Sequence, residues 1–135
     1  MLKRVILAIV VVYVAYTGLS VLMHGVVLGK DYNIPGLFRP MEEMDARLRL
    51  AVNLVVVWAF VLVYARFVQP KTAMAGLGMG VLWGIAAGAS MGLGSHSAMP
   101  IPFSMALTWC IGTFVQFAVA GLLTGLIVKP SAPAA

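Results

Sequence analysis

Gly76-Leu77-Gly78-Met79-Gly80-Val81-Leu82-Trp83-Gly84-Ile85-Ala86-Ala87-Gly88-Ala89-Ser90-Met91-Gly92 decides the fold, because glycine returns at 76, 80, 84, 88 and 92, every fourth residue without a break. On an α-helix these positions form one slowly winding stripe. In water such a run costs about 1 kcal/mol per glycine relative to alanine, whereas in a bilayer small residues let two helix backbones approach. The stretch therefore predicts a membrane span over about residues 72–93, with a glycine-zipper face against another helix. Charge agrees: no Asp, Glu, Lys or Arg occurs between Lys71 and Lys129, nor between Arg4 and Lys30.

Working outward, the 135 residues are 62% hydrophobic and 10% charged, with a mean hydropathy of +1.03. Soluble domains carry about 25% charge. The composition predicts an all-α, polytopic membrane protein, a four-transmembrane-helix bundle with the glycine-zipper helix third. The spans are expected at about 5–28, 50–68, 72–93 and 102–128, in a single domain covering 1–129. The tail, 130–135, is too short and proline-rich to fold. Lys3-Arg4 ahead of an apolar run resembles a signal peptide, but the run continues to Gly29, too long for a cleaved segment, so a retained first span is expected. The net charge of +5 sits on bases that flank spans, which makes lipid headgroups the expected counter-ions and argues against nucleic acid. Cys110 is the only cysteine, which leaves no disulfide within one chain.

The segment Lys30–Arg49 holds all the acids of the chain, Asp31, Glu42, Glu43 and Asp45, balanced by Lys30, Arg39, Arg47 and Arg49. Ile34-Pro35-Gly36-Leu37 has the residues of a type II turn. Pro40 suits a first helical position, Glu42 and Glu43 suit a helix N-terminus, and Glu43/Arg47 and Asp45/Arg49 are spaced as i,i+4 pairs. With Met41, Met44 and Leu48 on one side, an interfacial amphipathic helix over 40–49 is expected ahead of the second span. Four spans place Lys3, Arg4, Arg66, Lys71 and Lys129 together without an acid, so that side, with both termini, is expected to be cytoplasmic.

The expected helix-packing residues are Gly76, Gly80, Gly84, Gly88 and Gly92, with Gly121 and Gly125 as a second small pair in the fourth span. Asn53 and Gln116 are the candidate intramembrane polar contacts; with Thr113 and Thr124 they are also the residues available to line a polar route. His24, His96 and Met99, among further methionines at 23, 41, 44, 91 and 105, form the one group with ligand chemistry, since thioether and imidazole suit copper(I) and paired imidazoles suit a tetrapyrrole. No dense ligand motif joins them, so no cofactor is expected. No spacing assembles a nucleophile with a base, so no catalytic residue is assigned.

Leu22-Met23-His24-Gly25-Val26-Val27-Leu28-Gly29-Lys30-Asp31-Tyr32, followed by Leu37-Phe38-Arg39-Pro40, resembles a segment of small four-span bacterial inner-membrane proteins of unassigned function. The resemblance implies the same architecture and a bacterial inner membrane, and implies no activity. The leading expectation is a non-catalytic accessory, assembly or scaffold subunit, acting by helix packing in a larger or homo-oligomeric membrane complex. The alternative is a small channel or carrier formed by oligomerisation; metal or tetrapyrrole binding through His24 and His96 comes third.

Overall fold

A computed structural model describes residues 1–129. Helix α1, Leu2–Val21, continues as a π-helical turn over Leu22–Val27; α2 is Ala46–Phe67; α3, Ala73–Ala89, continues through a π turn at Ser90–Gly94 into the short α4, Ser95–Ala98; α5 is Phe103–Ile127. The four stretches Leu2–Val27, Ala46–Phe67, Ala73–Ala98 and Phe103–Ile127 are long and apolar enough to cross a membrane. At 1.5 Å per residue each exceeds a hydrocarbon core of roughly 30 Å. The chain is thus a multi-pass, all-helical membrane protein, as its hydropathy predicts, with no strand among the described residues.

The ends differ from expectation. Residues 40–49 are not one amphipathic helix: Met41–Glu43 makes a single 3-10 turn, and α2 begins only at Ala46. Asp45 provides the stronger start, because its Oδ1 accepts from the Leu48 amide at 2.9 Å and satisfies one of the orphan donors of the first turn. Glu43 therefore lies outside the helix and Asp45 is engaged, and neither Glu43/Arg47 nor Asp45/Arg49 forms an ion pair among the described residues. The third span does not end at about residue 93 either, but runs to Ala98. The helix passes through Gly94–Ser97, with Ser97 Oγ donating to the Gly94 carbonyl at 2.7 Å, and stops only at Met99, ahead of Pro100 and Pro102. The expected type II turn is present, with Gly36 at φ 76° and Leu37 N–H on the Ile34 carbonyl at 3.3 Å. The tail, 130–135, lies outside the described residues.

Helix α5 is the hub. Helix α3 runs antiparallel to it, and the glycines face its backbone in sequence: Gly76 meets Gly121 and Gly125, Gly80 meets Phe117 and Gly121, Gly84 meets Phe114, Gly88 meets Cys110 and Gly92 meets Ala106. A methyl group at Gly76 would stand 2.9 Å from Gly125 Cα, closer than real Cβ atoms come. Helix α1 packs on another side of α5, also antiparallel: Arg4 Nη1 donates to the Lys129 carbonyl and Gln116 Nε2 to the Tyr16 carbonyl, both at 3.3 Å. Both ends of the described chain therefore meet at one end of the bundle, the terminal end. The opposite, loop end carries residues 28–45 and 99–102. Helix α2 returns between the two ends, burying Val57, Phe60, Val61 and Tyr64 with Val12 and Phe117. Trp83 rests against Phe60 and Phe117 but remains 43% exposed, so it divides its surface between protein and the surroundings of the bundle.

Candidate functional site at the loop end

The loop end is built from the C-terminal turn of α1 outward. The π turn widens the helix by one residue per turn, a device common at functional sites, and carries His24. Residues 28–45 then fold back over the first turns of α5, where Tyr32, Ile34, Leu37 and Phe38 pack on Leu28, Ile101, Met105 and Trp109. The Tyr32 ring meets Phe38 edge-on at 5.0 Å and stacks on Trp109 at 6.4 Å.

A hydrogen-bond relay runs along the polar edge of this cluster. Trp109 Nε1–H donates to the Tyr32 hydroxyl at 2.9 Å, and the same hydroxyl is hydrogen-bonded to His24 Nδ1. Indole N–H only donates, so the Tyr32 oxygen accepts from Trp109 and has one proton of its own to place. Burial pushes the Tyr32 phenol above its ordinary pKa, with Asp31 adding to the rise and the Trp109 hydrogen bond and the Arg49 charge pulling back. Neutral Tyr32 thus donates to His24 Nδ1, and the remaining ring nitrogen, Nε2, carries the imidazole proton.

Beside the relay lies an open cleft of about 560 Å³, lined by His24, Tyr32, Arg39, Asp45, Leu48 and Arg49 among others. Arg49 also lines a second hollow, of about 340 Å³, between α1 and α2, with Thr17, Ser20, Gly25 and Asn53. Neither the Arg39 nor the Arg49 guanidinium has an ion-pair or hydrogen-bond partner among the described residues.

The residues singled out from the sequence are placed as follows. His96 does not share a site with His24: its Nδ1–H donates to the Ile101 carbonyl at 2.8 Å and its ring meets Phe103 edge-on. Met99 follows α4 and is partly exposed. The sulfur of Met23 occupies the space that a side chain at Gly112 would take, making it a packing group between α1 and α5. No group of three His, Cys, Asp or Glu able to hold a metal occurs among the described residues. Asn53 Nδ2 donates to Thr17 Oγ1 at 3.4 Å, Thr124 Oγ1 to the Ala120 carbonyl at 2.7 Å, and Gln116 is held by Tyr16; Thr113 is buried. The glycines at 76, 80, 84, 88, 92, 121 and 125 all line the α3/α5 contact.

Tyr32 and Trp109, which tie the site together, were not legible as partners, being 77 residues apart. Lys71 likewise gave no sign of burial, yet only 5% of its surface is exposed. Comparison with protein-family models, curated proteins and solved structures returns no match to this chain.

Proposed function

We propose that the protein is a non-catalytic subunit of a membrane assembly, either with other chains or with copies of itself, that acts through helix packing and holds no resident cofactor. The proposed setting is a bacterial inner membrane with the terminal end cytoplasmic, since Lys3, Arg4, Arg66, Lys71 and Lys129 gather there without an acid.

The observation that carries this proposal is on α1. The α3 and α5 stripes fill each other, so they call for no outside partner. Val14, Gly18, Val21 and Gly25 instead form an exposed stripe at helical spacing, with Val14 66% exposed and no atom within 4 Å of a side chain added at Gly18. A small-residue notch between β-branched ridges suits another transmembrane helix. On the chemical side, Asn53, Gln116 and Thr124 are engaged within the bundle, and His24 and His96 bond to different groups.

Gly18→Cys in a Cys110→Ala background tests it by cross-linking in native membranes. A defined adduct, with a second copy or with another membrane protein, that disappears when Val14→Trp is added supports the assembly. Recovery of the monomer alone from native membranes, without any adduct, removes the proposal's main support.

A further inference from the structure

We propose that the loop-end cleft binds the phosphate headgroup of an anionic phospholipid, with His24, Arg39 and Arg49 holding the phosphate and Leu48 and Val52 meeting the acyl chain.

The cleft is a site of mixed character. Its volume of about 560 Å³ lies within the roughly 300–1,000 Å³ range of small-ligand sites. The lining offers two guanidinium groups with no ion pair or hydrogen bond among the described residues. The carboxylate in the lining, Asp45, spends one oxygen on the Leu48 amide and forms no ion pair with either guanidinium among the described residues, so two cations share the lining with one acid. Guanidinium groups recognise phosphate oxygens through paired hydrogen bonds, and do so better than ammonium groups because of their planar fork. His24 adds a further donor: with Nδ1 held by Tyr32, its Nε2 is protonated whether the ring is neutral or charged. The Trp109–Tyr32 relay fixes the ring in that state without contributing a charge of its own.

The apolar part of the lining distinguishes a lipid from a free anion. Leu48 is 61% exposed and Val52 51% exposed, and both border the cleft. Val52 lies six residues into α2 from Ala46, about 9 Å along the axis. Arg49 lies three residues nearer that end than Val52, so an occupant meets the guanidinium first and the Val52 side chain further into the membrane. This order of chemistry is that of a phospholipid at the boundary between headgroups and chains, where guanidinium groups can pair with the phosphate. Soluble phosphate has no use for the apolar wall.

The test uses the whole chain purified in a neutral detergent. Short-chain phosphatidylglycerol, short-chain phosphatidylcholine and glycerol phosphate are titrated separately, with bound ligand counted by native mass spectrometry and the thermal midpoint followed in parallel. One phosphatidylglycerol per chain is expected, bound more tightly than the other two probes. Arg49→Gln and Arg39→Gln should each weaken it about tenfold, the scale of one lost charge-assisted hydrogen bond. Arg66→Gln, at the terminal end, should leave it unchanged. Equal binding of the two lipids, or an equal loss in Arg66→Gln, overturns the proposal in favour of general lipid adhesion. Glycerol phosphate binding as tightly as the lipid overturns it in favour of an aqueous anion site. Arg39 is in a connecting segment and its side chain has no hydrogen bond or ion pair among the described residues, so Arg39→Gln decides the matter even if Arg49→Gln folds poorly. This outcome is independent of the assembly on α1, because it is read on the isolated chain.

Discussion

Gly84 and Phe114 touch backbone to backbone: a methyl group at Gly84 would lie 2.9 Å from both Cα and the carbonyl oxygen of Phe114. The large residue at 114 is no obstacle, since the contact is made by its main chain. Helix α5 therefore accepts the upper half of the glycine stripe without glycines of its own, and only the lower half meets Gly121 and Gly125.

Gly84→Leu should accordingly separate α3 from α5. Overpacking of this kind costs about 1–3 kcal/mol, and more where backbone is the obstacle. Gly78 is the internal control. It lies on the same helix but has nothing within 4 Å of an added side chain, so Gly78→Leu should be neutral or slightly stabilising, given the poor helix propensity of glycine. Gly76 is near the end of the span but as tightly confined as Gly84, so Gly76→Leu should not be milder. Thermal unfolding in detergent measures all three; equal midpoints for the Gly84 and Gly78 variants would show that the stripe does not bear the packing.

Tyr32→Phe should leave both Trp109 Nε1–H and His24 Nδ1 without their partner, at a cost of about 1–3 kcal/mol. A shift in Trp109 emission, lost in a Trp109→Phe background, would report it. The pH dependence has a definite sign. Burial raises the Tyr32 pKa above its unfolded value, so the folded chain keeps the phenol proton after the unfolded chain has lost it. Stability from this group is complete below about pH 10 and falls as pH rises through the folded pKa. The alkaline loss should be shallower in Tyr32→Phe than in the unchanged chain; identical alkaline curves would mean that Tyr32 is solvated.

Much of this architecture was legible because bilayer chemistry leaves few options. Uncharged gaps the length of a span fix the helices, and a glycine every fourth residue fixes one face of α3. The partner of that face was harder to see, because α5 answers with backbone at Phe114 and Cys110 rather than with small side chains. Two start signals competed before α2, and Asp45 prevailed over Pro40 because its carboxylate reaches the Leu48 amide. The loop-end cluster was not legible at all. It depends on where the turn at Pro35-Gly36 sends Phe38 and Arg39, and on Tyr32 meeting a residue far along the chain.

The terminal end and the loop end should lie on opposite sides of the membrane. Arg4 and Lys129 are joined by a hydrogen bond, so a probe at Leu2 reports the end shared with the last turn of α5. Leu2→Cys and Asn33→Cys, each in a Cys110→Ala background, should react with an impermeant thiol reagent from opposite sides of sealed vesicles. The expected assignment is Leu2→Cys from the cytoplasmic side, following the clustered bases. Reaction of both from one side would rule out the four-span crossing.

The last prediction concerns Lys71, which caps α2 from the following turn. Its Nζ donates to the Val68 carbonyl at 3.0 Å and the Tyr64 carbonyl at 3.4 Å, and lies 5.7 Å from the centre of the Tyr64 ring. The Tyr64 hydroxyl reaches on to the Thr72 carbonyl at 2.9 Å, and Thr72 Oγ1 caps α3 by accepting from the Ala75 amide at 3.1 Å. One cation thus satisfies carbonyls at the negative end of α2 while the adjoining residues begin α3. Lys71→Met keeps the length of the side chain and its apolar contacts but removes the donor. A loss of about 1–3 kcal/mol is expected, the usual cost of leaving buried polar groups unpaired. Arg66→Met, an exposed base at the same end, should change the thermal midpoint little. Because Lys71 is held by short-range bonds and shielded from solvent, raising the salt concentration should not reproduce the Lys71→Met effect. If salt alone does so, Lys71 acts as a surface charge and not as the clamp of the α2–α3 turn.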